Sequence, residues 1–147
     1  MSKFKTQSPI THIPSFKTYQ ISGGDLMAKL VAIPVTIPLG MFDSHYFYTD
    51  LEGWNNVLWD LTFNSNLYKD NSFDCENYAM KAMSICAETY GLNAFGLVIG
   101  NMPLGRHGFN IFYWGGGFML HEPNSGYGYG GYFPIGEHGY IADLVVI

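Results

Sequence analysis

Asp74-Cys75 stands at the head of a stretch in which Tyr78, Ala79, Ala82, Met83, Cys86, Ala87 and Tyr90 recur at three- and four-residue steps, up to Gly91. That spacing predicts a helix over 74–90 with Asp74 as N-cap and Gly91 as stop. Cys75 then occupies the first helical position, where unpaired backbone N–H groups and the helix dipole favour a thiolate. Such a nucleophile needs a base, and the base needs an orienting partner. Of His12, His45, His107, His121 and His138, His107 is singled out because it opens the strand-like run His107-Gly108-Phe109-Asn110-Ile111-Phe112-Tyr113-Trp114. A two-residue turn at Gly115-Gly116 pairs Trp114 with Gly117 and Phe109 with Glu122, leaving His107 and Glu122 as diagonal neighbours on one face. A three-residue turn brings His121 to that face instead. The chemistry is that of a thiol nucleophile, Cys75, an imidazole base, His107, and an orienting carboxylate, Glu122, with His121 as the other candidate for the third place.

The elements that must hold these residues follow from the pattern around them. Short apolar runs punctuated by glycine, 94–100, 109–114, 118–122 and 140–147, read as an antiparallel sheet, and Gly115-Gly116-Gly117 as a tight hairpin. Asp50 to Leu61 places Trp54, Leu58 and Leu61 at helical spacing behind an N-capping Asp50. A short helix is expected over 25–30. The β-branched stretch 31–40, broken by Pro34 and Pro38, suits an extended edge segment. Residues 1–24 read as an arm with little regular structure, docking through Ile10, Ile13, Phe16 and Tyr19. The whole is expected to be a single α+β domain over 1–147: the arm, a mainly helical half over 25–92, and a sheet half over 93–147, with the central helix packed on the sheet.

The 147 residues are 48% apolar, 17% aromatic and 13% charged, enough for one sizeable core and too apolar for a disordered chain. Net charge is −5, and the seven basic residues are scattered, so no stripe tracks a phosphate backbone and nucleic acid is excluded as a partner. The absence of an apolar run of roughly 18–20 residues argues against a membrane partner, and the polar N-terminus against a signal peptide, so a soluble cytoplasmic protein is expected. Cys75 and Cys86, about 16 Å apart along one helix, read as free thiols, with Cys86 a buried hydrophobe. Asp43, His45, His107, His121, Glu122 and His138 lack zinc spacing, and no Cys-x-x-Cys exists, so neither metal nor cofactor is expected. Tyr127-Gly128-Tyr129-Gly130-Gly131-Tyr132 reads as a loop able to line a groove for a peptide or sugar.

Phe73-Asp74-Cys75-Glu76-Asn77-Tyr78-Ala79 resembles the Asp-Cys-acidic-polar-aromatic-Ala signature that opens the core helix of transglutaminase-like domains, within the papain-like thiol superfamily. His107-Gly108-Phe109-Asn110 is similar to that family's His-Ala-Trp-Asn type of strand, and Leu120-His121-Glu122-Pro123 to its closing acidic-Pro segment. The resemblance covers roughly residues 55–125. It implies a papain-like (transglutaminase-like) fold, with Cys75 as nucleophile, His107 as base and Glu122 where aspartate is usual. A Glu-Pro ending occurs in some relatives, including the papain-like domain attached to certain fungal agglutinins. The implied activity is acyl transfer or amide hydrolysis, as in a cysteine peptidase or transglutaminase, on a peptide or protein amide. With no Gln in the stretch leading up to the cysteine, the oxyanion donor falls to Asn64, Asn66, Asn71, Trp54 or Trp59, with His121 a further residue near the site. Two alternatives stand beside this reading: a non-catalytic binding or structural module, and a peptidoglycan peptidase of the NlpC/P60 type, which Asp74-Cys75 and the pair His107 and His121 also resemble.

Overall fold

The computed structural model describes residues 14–147 and runs β1 (Tyr19–Ser22), α1 (Gly23–Leu30), β2 (His45–Tyr48), α2 (Leu51–Val57), α3 (Cys75–Tyr90), β3 (Phe95–Met102), β4 (Gly105–Tyr113), β5 (Phe118–His121) and β6 (Ile141–Val146). Single 3-10 turns cover Leu58–Leu61, Ser65–Leu67, Ser125–Tyr127 and Glu137–Gly139.

The expected central helix forms where the apolar spacing places it. Asp74 and Asn77 close its first turn reciprocally: the Asp74 side chain accepts from the Asn77 N–H, and Asn77 Oδ1 accepts from the Asp74 N–H at 3.2 Å. Gly91 ends it in the left-handed region, φ 66°, where its N–H reaches the Ala87 carbonyl. The buried face, Tyr78, Ala79, Ala82, Cys86 and Tyr90, lies against the sheet.

The sheet is antiparallel in the order β5-β4-β3-β6. The turn at Gly115-Gly116 is the two-residue one: Tyr113 pairs with Phe118 and Asn110 with His121, and the Trp114 N–H meets the Gly117 carbonyl. Both faces of β4 are covered, which explains its nearly continuous apolar run. One face packs Phe109 and Ile111 with Leu26, Leu30, Tyr46 and Tyr140, and the other packs Phe112 with Trp54, Leu58, Leu61 and α3. Each large apolar side chain so buried contributes about 1.5–3 kcal/mol. Asn110 joins the layers, its Nδ2 donating to the Ala79 carbonyl of α3 and the Gly96 carbonyl of β3, both at 3.0 Å.

Two expectations need correction. The half over 25–92 carries α1, α2 and α3, and with them one strand, β2, which pairs antiparallel with β1. Aromatic and β-forming residues drive this, with Tyr46, Phe47 and Tyr48 set against Ile21, Gln20 and Tyr19. Among the described residues strands outnumber helices, six against one long and two short α-helices, so the fold is weighted toward sheet. The arm is also shorter than expected, since 19–24 belong to β1 and α1, and α1 is capped by the Ser22 hydroxyl rather than starting at Asp25. Phe16 packs edge-on to Tyr90 and Tyr19 stacks on Tyr48, while Ile10 and Ile13 lie outside the described residues. Stretch 31–40 touches β6 at a single parallel bridge, Thr36 to Leu144, in keeping with an edge.

Candidate functional site

β4 crosses the start of α3 at a glycine. A Cβ on Gly108 would lie 2.8 Å from the backbone N and Cα of Glu76 and 3.1 Å from the Cys75 carbonyl carbon. Only a residue without a side chain allows this approach. The next residue back, His107, therefore stands beside Cys75, close enough for the thiol to act on the charge of its ring.

On its other side the ring meets Glu122, with His107 Nε2 2.6 Å from Glu122 Oε2. Both side chains are buried, 4% and 1% exposed. With Nε2 committed to Glu122, Nδ1 is the ring's remaining nitrogen. Glu122 is held at three points: Oε2 also accepts from the Tyr140 hydroxyl at 2.8 Å, and Oε1 from the Asn124 N–H at 3.0 Å. Rings of Tyr127 and Tyr140 flank the imidazole at 5.1 and 5.8 Å between centroids.

Burial by itself pulls the His107 pKa down, but the bonds to Cys75 and Glu122 and the carboxylate charge outweigh it and raise the value to about 9. The ring is an imidazolium at neutral pH. Cys75 Sγ also lies 3.3 Å from Glu76 Oε2, to which the thiol donates when protonated. The Glu76 carboxyl is held below its usual range by its own backbone N–H first, then by Asp74, Cys75 and the His107 charge. Asp74 moves the other way, raised by its hydrogen bond to Glu76. Cys86 is fully buried, and desolvation pushes its thiol well up. Chemically, the cluster can present a nucleophilic sulfur to a ligand and return a proton from the same side.

The other sequence-nominated residues lie elsewhere or serve the scaffold. Trp54 is buried, stacked near Phe95 and Phe112, and its indole N–H donates to the Tyr113 carbonyl at 2.9 Å. His121 is buried with Nδ1 2.8 Å from the Gly131 carbonyl oxygen and Nε2 3.1 Å from that of Leu61, leaving neither nitrogen for a ligand. Asn71 sits at φ 60° in the turn between Lys69 and Phe73. Asn64 caps the 3-10 turn that follows it, and Asn66 borders a separate depression with Leu67, Lys69, Phe73 and Lys81. Trp59 is exposed, its ring lying on Gly130 beside a depression of about 210 Å³ shared with Thr62, Ser125 and Tyr129. Tyr127, read in the sequence as part of a groove-lining loop, stands beside the His107 ring. Tyr140, Gly108 and Glu76 were not singled out as site residues in the sequence; of these Gly108 alone carried a signal, as a glycine inside an apolar strand. Among the described residues no group of three metal-ligating side chains converges, and no helix is long and apolar enough to cross a membrane.

No protein-family model matches the chain, and no curated protein does. Solved structures similar in fold include the following two. One is a PSL1a–E-64 complex: 19% identity and a TM-score of 0.65, over 87% of this chain and 51% of that one. The other is a Polyporus squamosus lectin bound to the human-type influenza-binding epitope Neu5Aca2-6Galb1-4GlcNAc: 19% identity and a TM-score of 0.60, over 87% of this chain and 49% of that one. The chain thus spans about half the length of the lectin chains it matches.

These findings replace the family expectation. What the chain shares is the fold of about half of a lectin chain, and no family model assigns it to the transglutaminase-like or NlpC/P60 domains. The papain-like label, the cysteine peptidase or transglutaminase activity and the peptide or protein amide partner that rested on it are not carried forward. The physical reason lies in the motifs: Asp-Cys before a helix, His on a strand and Glu-Pro at a strand end are each short, and they report local geometry rather than ancestry.

Proposed function

We propose that the chain is a ligand-binding module whose ligand seat is the cluster at the start of α3, with Cys75 as nucleophile, His107 as proton donor and Glu122 as the residue that orients it. The observation carrying this reading is the His107 ring set beside Cys75 by the Gly108 crossing and held by Glu122 Oε2 at 2.6 Å. Such a seat retains a ligand that brings an electrophilic carbon with an oxygen leaving group. The sulfur forms the C–S bond, the C–O bond breaks toward oxygen, and the His107 imidazolium supplies the proton that oxygen takes up. An epoxide satisfies all three demands without a separate oxyanion donor, and E-64, the partner in the similar PSL1a structure, is an epoxide. The glycan belongs to the second neighbour, of which this chain covers 49%.

The test is stoichiometric E-64 with the native protein, read by intact mass and peptide mapping. One adduct at Cys75, none at Cys86, no adduct in Cys75→Ala and labelling slowed about tenfold or more in His107→Ala support the seat. No adduct on the native protein, or equal labelling of both cysteines, overturns it. Binding of immobilised Neu5Aca2-6Galb1-4GlcNAc, unchanged in Cys75→Ala and without any adduct, moves the binding site elsewhere on the chain.

A further inference from the structure

We infer that Tyr140 is a positioning residue for this site, acting through Glu122: its phenol anchors the carboxylate oxygen that holds the His107 proton and draws negative charge from it. The inference deepens the reading proposed above, and it rests on contacts that no sequence motif indicated.

The geometry is specific to one oxygen. Glu122 Oε2 accepts from both the His107 ring at 2.6 Å and the Tyr140 hydroxyl at 2.8 Å, whereas Oε1 takes only the Asn124 N–H. Tyr140 is fully buried at the entry to β6, with its ring set edge-on against His107, Phe109 and Phe133. A tyrosine is not needed to fill such a pocket, since phenylalanine has the same ring. What the hydroxyl adds is a donor. A carboxylate oxygen with two donors divides its charge between them, so the phenol limits how tightly Glu122 holds the imidazolium proton. It also pins Oε2 toward His107, because rotation of the carboxylate would break two buried hydrogen bonds together.

The titratable groups around the pair are few. Cys75 and Glu76 face His107 from α3, Glu122 from the end of β5, Tyr127 from the loop that follows, and Tyr140 from the start of β6. Tyr129 and Tyr127 are the other phenols within electrostatic reach of Tyr140. Burial and the Glu122 charge raise the Tyr140 phenol far above its usual range, so it stays a neutral donor through the range in which His107 titrates.

The experiment is an NMR titration of the His107 ring in the intact 147-residue chain, which reads the site without any ligand and stands whether or not E-64 is captured. In Tyr140→Phe the ring packing remains and one donor leaves Oε2, so the His107 midpoint rises by about half a pH unit or more. Placing 3-fluorotyrosine at position 140 strengthens the donor and lowers the midpoint; this second variant keeps the test usable if Tyr140→Phe does not fold. Midpoints unmoved in these proteins, or moved in the opposite sense, overturn the inference and leave Tyr140 a packing residue. A failure of E-64 labelling in the wild-type protein bears on the ligand seat alone.

Discussion

Gly108 on β4 lies directly over the backbone of Glu76 in the first turn of α3, at 2.8 Å from where a Cβ would stand. This one crossing fixes the distance between His107 and Cys75, because each is the chain neighbour of a residue in the contact. Gly108→Ala must push strand from helix, since the obstacle is backbone and cannot swing aside. The expected outcome is a loss of about 1–3 kcal/mol in urea unfolding together with slower iodoacetamide labelling of Cys75 than in the wild type. Labelling at the wild-type rate in a folded Gly108→Ala protein would separate the crossing from the site.

Two buried histidines give the stability opposite slopes with pH. His107 is raised to about 9 in the folded chain, so its contribution is complete below the unfolded value of about 6.5 and is lost as pH rises from there through about 9. His121 is depressed by burial, so its contribution is present above about 6.5 and is lost as pH falls through its lower folded value. Urea midpoints are therefore expected to peak near pH 6.5. Glu122→Gln should flatten the alkaline limb and leave the acid limb in place.

Cys86 is enclosed by Ala82, Trp54 and the rest of the inner cluster, and desolvation holds its thiol in the protonated form. Alkylation there should require global opening, so its rate should fall in step with the equilibrium constant for unfolding as stability rises. In a protein carrying Cys75→Ser, iodoacetamide uptake across a urea series should follow the loss of circular dichroism signal. Uptake well before that transition would mean the inner core opens locally.

Much of the frame was legible because it depends on local rules. Asp74, the apolar steps to Tyr90 and Gly91 define α3 by capping and periodicity. The Gly115-Gly116 turn decided by parity that Glu122, rather than His121, meets His107. Tyr140 was illegible for the complementary reason. It lies 18 residues beyond Glu122 at the start of a strand that pairs with β3, so its reach to Glu122 is set by strand order. Trp54 and His121 were nominated by residue type, yet the neighbours that bury them, Phe95 and Phe112 around Trp54 and the Leu61 and Gly131 carbonyls at His121, are distant in sequence. The family expectation failed on scale: three short motifs describe a few contacts, whereas the fold comparison covers 87% of the chain.

Asn110 tests how far the site depends on the union of its layers. Its amide donates to a carbonyl of α3, Ala79, and to one of β3, Gly96, while sitting fully buried on β4 three residues from His107. Ala79 lies one helical turn beyond Cys75, so this tie and the Gly108 contact together hold the first turn of α3 at two points. Asn110→Ala removes the tie and leaves a gap between the layers. A buried polar pair lost this way costs about 1–3 kcal/mol, read as a lower urea midpoint. Because the Gly108 contact remains, the His107 titration midpoint should stay at its wild-type value while the iodoacetamide rate at Cys75 changes less than it does in Gly108→Ala. A shifted His107 midpoint in Asn110→Ala would show that the layers, and not the crossing at Gly108, set the geometry of the site.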